Sequence, residues 1–220
     1  DMEGSRGLGD VYKRQIQLFS GSMITQPNKT CSQCPRLYSF RLKNAQNYID
    51  WHNAPVASFG DSDGQLLIVG LAPGLRGANK TGRPFTGDWA GDLLYATLTK
   101  FGFTHGKYGA TAEDGLQLLN CRITNAVRCV PPENKPTGEE IKTCNKFLIR
   151  ELKGMRNLKV ILTLGGIAHA AILSALDKKK SDYKFSHNGE FKLNEHLQLV
   201  SSYHCSRYNT NTRSYTKHLF

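Results

Sequence analysis

Residues 66–103 read "LLIVGLAPGLRGANKTGRPFTGDWAGDLLYATLTKFGF", and the organisation of the chain turns on them. The stretch opens on a nearly continuous apolar run, "LLIVGLA" (66–72), of the kind found in strands covered on both faces. It closes on a helical pattern, with Leu94 and Leu98 four apart and Leu93 and Phe101 beside them. Between the two lies residues 70–88, with five glycines, two prolines and three cationic side chains. This middle part lacks the Gly-Lys-Ser/Thr ending of a phosphate-binding loop and does not fit G-x-G-x-x-G. What remains is a pocket-forming loop or a surface connection. Within it, Phe85 suits either the core or a stacking face. Asp88 suits either a helix N-cap or a catalytic carboxylate.

The same alternation continues outward. Further strands are predicted at "RITNAVRC" (122–129), "KVILTLG" (159–165) and "LQLVSSYH" (197–204). A helix is predicted in "PTGEEIKTCNKFLIRELKGM", where Ile141, Cys144, Leu148, Leu152 and Met155 share a face. Thr137 and Glu140 form its capping box. "GGIAHAAILSAL" enters another helix through a glycine turn, and "SFRLKNAQNYIDWH" (39–52) is a weaker candidate. "DKKKSDYKFSHNGEFK" (177–192) is expected to be a solvated basic loop or hairpin. Alternating strands and helices predict a three-layer α/β/α sandwich around a central four-stranded, mainly parallel sheet.

Ligands of such sheets bind beyond the carboxyl ends of the strands. Those ends carry Gly70, Leu71, Ala72, Pro73 and Gly74 on the first, Asn125 and Cys129 on the second, and His204 to Asn209 on the last. Two cysteine pairs also stand out, Cys31 with Cys34 and Cys129 with Cys144. Four thiolates hold either a tetrahedral zinc ion or a [4Fe–4S] cluster, and spacing does not choose between them. Cys121 and Cys205 do not pair and are expected to be structural.

The charge balance narrows the partners. The chain has 220 residues, with 29 Lys plus Arg against 18 Asp plus Glu, a formal charge of +11. A polyanion, nucleic acid first, is the expected partner. No apolar run reaches the ~18–20 residues of a membrane span, and no signal-peptide pattern opens the chain, so a cytoplasmic protein without a membrane partner is expected. "DVYKRQ" (10–15) resembles translated adapter DNA. Residues 1–15 are therefore expected to be non-native, leaving 16–220 as one domain. The short "RSYTKHLF" at its end is expected to be a truncated closing segment. A small-molecule α/β hydrolase lacks support, since no Gly-x-Ser-x-Gly elbow is present.

Three motifs together carry a resemblance: "GLAPG…GANKTGRPFTGD", "TNAVRCVPPENKPTGEEIKTC" and "HCSRYNTNT". Over residues 31–212 the chain is similar to uracil-DNA glycosylases of the iron–sulfur branch, and within it resembles family 5 (type B). The resemblance implies a monomeric base-excision enzyme acting on DNA that contains uracil, hypoxanthine or other deaminated bases. It implies that Cys31, Cys34, Cys129 and Cys144 hold a structural [4Fe–4S] cluster. It further implies that Phe85 stacks on the flipped base, Asn125 reads its Watson–Crick edge, and His204 donates to uracil O2. Gly70 to Gly74 would form the pocket backbone, and Ser206, Arg207, Tyr208 and Asn209 would contact DNA, with Arg207 and Tyr208 as a wedge. Two departures accompany it. Leu71 stands where family 4 has an acidic residue, which leaves Asp88 as the nearest substitute, and Cys205 stands where a proline is usual. A different class, a non-catalytic nucleic-acid-binding module with structural zinc, accounts for charge and cysteines but not for the convergence of Phe85, Asn125 and His204.

Overall fold

The computed structural model describes residues 24–206. The expected adapter-derived stretch 1–15, the candidate DNA contacts Arg207, Tyr208 and Asn209, and the closing segment lie outside the described residues.

Four parallel strands form the centre of the sheet: β2 (Leu66–Gly70), β5 (Cys121–Asn125), β6 (Val160–Leu164) and β8 (Gln198–Ser202). These are the four that the sequence predicts. The sheet itself is wider, because two antiparallel edge strands extend it to six: β1 (Phe59–Gly60) beside β5, and β7 (Gly189–Lys192) beside β8. The order is β1-β5-β2-β6-β8-β7. A separate two-stranded ribbon pairs β3 (Thr104–His105) with β4 (Gln117–Leu118). The central strands are shorter than predicted. After Asn125 the chain leaves the ladder, and the Ala126 and Val127 amides donate to the Gly70 and Leu71 carbonyls. Cys129 and His204 therefore lie beyond strands rather than within them.

The central strands are apolar on both faces, and each face has its own cover. Ile68, Ile123, Leu162 and Leu164 point to one side, where α3 (Trp89–Lys100) contributes Leu94, Tyr95 and Leu98. Leu67, Val69, Ile161 and Leu199 point to the other, against Leu148 of α4 (Gly138–Gly154) and Ala168, Ala171 and Ile172 of α5 (Gly166–Ala175). The α4 capping box forms as its sequence requires, with Glu140 N donating to Thr137 Oγ1 and Thr137 N to Glu140 Oε2. The fourth predicted helix exists but starts earlier, as α1 (Pro35–Asn47) with a proline in its first turn. α1 buries Leu37 against Val127, Cys129, Cys144 and Phe147.

Two loop expectations change. The glycine-rich stretch holds a short helix, α2 (Ala78–Thr81). Residues 177–192 are not a fully solvated face: they end in β7, and Phe185 and Phe191 pack against the buried ring of His169.

Candidate active site

A cavity of about 290 Å³ opens at the carboxyl ends of β2, β5 and β8. Leu71, Ala72, Pro73 and Gly74 line it from the end of β2, Asn125 from β5, and His204 from just beyond β8. Phe85 and Asp88 reach it from the glycine-rich stretch. Residues far apart in sequence thus meet as their strand ends predict. Gly70 lies beneath. A Cβ built there would come within 2.5 Å of both Asn125 Oδ1 and Phe85 Cζ. Glycine is thus what lets the amide and the ring close over the strand end.

Asn125 is 3% exposed and lines the cavity, where its amide oxygen and NH₂ can meet a ligand. The Phe85 ring lies 5.9 Å from the His204 ring, with an interplanar angle of 28°. Phe85 is part of the core and at the same time lines the cavity. Asp88 likewise serves twice. It is the N-cap of α3, its Oδ1 accepting from Gly91 N at 2.9 Å, and it lines the cavity. Burial pushes the His204 imidazolium pKa below its ordinary value, against the opposing pull of the Asp88 carboxylate. His204 is consequently a neutral imidazole at pH 7. Ser206 is described, two residues past His204 and half-buried, and does not line the cavity.

One polar lining residue was not singled out from the sequence. Asn134 closes the turn that follows Pro131 and Pro132, where Glu133 and Asn134 both adopt positive φ, 53° and 57°. "PPEN" reads as a turn, which hides that its tip reaches the cavity.

A second, apolar cavity is lined by all four candidate ligands, Cys31, Cys34, Cys129 and Cys144. Burial and neighbouring charge push three of these thiols up, Cys34 to about 11 and Cys129 to about 12, with Cys144 also raised, chiefly by burial. Arg41, 4% exposed, pulls Cys129 the other way, and the Arg128 amide donates to Cys144 Sγ at 3.3 Å. Among the described residues no three His, Cys, Asp or Glu side chains converge as a single-ion site. Cys121 and Cys205 are buried in the core beside α3, Cys205 donating to the Ala90 carbonyl.

The profile of the Uracil DNA glycosylase superfamily matches residues 57–220. A type-5 uracil-DNA glycosylase of Thermus thermophilus is 40% identical over 202 residues, 90% of this chain and 92% of that protein. The type-5 enzyme of Mycobacterium leprae is 39% identical over 217 residues, covering 93% and 89%. That of Pyrobaculum aerophilum is 36% identical over 186 residues, covering 83% and 80%. With a mainly parallel sheet at whose carboxyl edge Phe85, Asn125 and His204 share one cavity, and with likeness over nearly its whole length, this chain belongs to the uracil DNA glycosylase superfamily, alongside its type-5 members.

Proposed function

We propose that this protein removes uracil from DNA by hydrolysing the N-glycosidic bond of a nucleotide turned out of the duplex. The observation that carries the reading is the convergence of a side-chain amide, an aromatic ring and a neutral imidazole on one cavity. Extrusion of a base costs a few kcal/mol, least for a mismatched one. In the cavity Phe85 supplies a stacking face, and Asn125 offers its oxygen and NH₂ to the Watson–Crick edge. The bond from C1′ to the base breaks with its electron pair moving onto the base. His204 donates a hydrogen bond to O2, where that charge gathers, in the manner of an oxyanion hole. The sugar, left electron-poor, takes the oxygen of water, whose proton departs. Leu71 offers no carboxylate for that proton, whereas Asp88, beside Gly74 and Gly77 at the cavity, does. Hypoxanthine and other deaminated bases are further substrates on this reading. Arg207, Tyr208 and Asn209, with Ser206, extend the grip along the strand, and the chain acts as a cytoplasmic monomer.

The four cysteines fit a [4Fe–4S] cluster by the chemistry of the donor set. All four line one cavity, and four thiolates are the donor set such a cluster takes. Arg41 and Arg128 supply positive charge beside an anionic centre. Bound there, the cluster would be structural, tying α1 to α4 and the segment after β5.

Release of an alkali-labile site from a uracil-containing oligonucleotide, absent from the thymine control, is the expected result. No cleavage by folded protein sinks the reading and returns the protein to a binding module, which the cavity and the relatives disfavour.

A further inference from the structure

We propose that Arg83 is the positioning residue for Phe85, and that its ion pair with Asp114 presets the ring on which an extruded base stacks; the inference rests on the function proposed above. Phe85 has φ +53°, the left-handed region that bulky residues rarely adopt. Such a conformation persists only where the surroundings over-determine it, and here they do so from both sides. Arg83 is 3% exposed. Its two terminal nitrogens donate to the two Asp114 carboxylate oxygens, each at 2.7 Å, while Nε reaches forward past Phe85 to Thr86 Oγ1 at 2.9 Å. One guanidinium therefore spans the turn that carries the ring. Its carbon lies 5.0, 5.2 and 5.6 Å from the centres of the Phe59, Tyr95 and Tyr108 rings. Tyr95 adds a hydroxyl donating to the Pro84 carbonyl at 2.8 Å. Asp114 is itself fixed by the Gly109 and Leu116 amides, at 2.8 and 2.9 Å. On the far side, the Phe85 carbonyl sits where a Cβ on Gly91 would be only 1.8 Å away.

A buried ion pair is weak evidence for stability, and fixing one arrangement among several is its better-attested use. The arrangement fixed here is that of the 83–86 turn. The Arg83 guanidinium does not line the cavity, so its effect reaches substrate through Phe85.

The test is a double-mutant cycle between Asp114→Asn and Phe85→Ala, read as single-turnover uracil release at saturating DNA. Tyr95→Phe, which removes only the hydroxyl, takes the place of Asp114→Asn if that variant does not fold. Each single change is expected to slow release at least fivefold without altering affinity for undamaged duplex. In the Phe85→Ala background the clamp change should cost less than twofold more. A second readout needs no activity: the His204 ring-proton shifts, set partly by the neighbouring Phe85 ring, should move in Asp114→Asn in the direction seen for Phe85→Ala. Losses that multiply in the double variant, or unmoved His204 shifts, overturn the proposal. If the parent protein releases no uracil, the function is wrong, and the His204 shifts still decide whether Arg83 positions the ring.

Discussion

Gly70 shows how narrow the tolerance of the site is. Its Cα lies where the Asn125 amide and the Phe85 ring close together, and one added methyl would sit 2.5 Å from each. Gly70→Ala is therefore expected to fold and to lose about 10²-fold in uracil release, the scale of a 1 Å misplacement. Single-turnover kinetics beside a thermal melt would check it, and a rate within threefold of the parent would contradict it. The imidazole gives a second residue-scale outcome. Burial lowers the His204 pKa and the Asp88 carboxylate raises it, so the folded value lies below the free one. The unfolded chain then binds the proton more readily, and this residue's contribution to stability is present above the ordinary histidine pKa and lost as pH falls through the folded one. An NMR titration should place the His204 midpoint below about 6.5. Asp88→Asn, which removes the opposing charge, should lower it further; an upward move would show that Asp88 does not act on the ring.

The elements explain why some of this was legible in sequence. Strands β2 and β6 are apolar runs, and α4 announces its start with Thr137 and Glu140 three apart, a local device that needs no knowledge of the fold. The site residues were legible because strand ends in a parallel sheet share one edge, and because three motifs carried a resemblance. What stayed hidden is pairing through space. β1 has two residues and no period to read. Arg83 and Asp114 are 31 positions apart. Another such case is Glu151, fully buried on α4, whose carboxylate accepts from Arg122 of β5 and from Arg128, each at 2.5 Å, and from Ser58 and Thr124 hydroxyls. Burial disfavours its charge, but the two arginines outweigh that and lower its pKa. Glu151→Ala leaves two guanidiniums unpaired, and a loss of about 3–5 kcal/mol in urea unfolding is expected. A loss under ~1 kcal/mol would mean that solvent reaches the arginines.

At the scale of the whole molecule, charge is the dominant signal. A net +11 on 220 residues predicts that affinity for undamaged duplex falls steeply with salt. A log–log slope of about −4, equivalent to roughly four or five phosphates neutralised, is expected in a fluorescence-anisotropy titration. A slope near zero would show that the positive charge faces something other than a phosphate backbone. The two cavities are also close along the chain. Only residues 126–128 separate the Asn125 amide from Cys129, and the backbone between is tied to the end of β2.

The parallel centre of the sheet gives the molecule a polarity with a practical use. The cavity opens at the carboxyl ends of β2, β5 and β8. The turn before β2, closed by the Gly64 amide on the Asp61 carbonyl, lies at the other end of a five-residue strand, about 16 Å away. Asp63 is exposed on that turn. A tether attached at Asp63 would fasten the protein to a bead or sensor with its mouth turned outward to passing DNA.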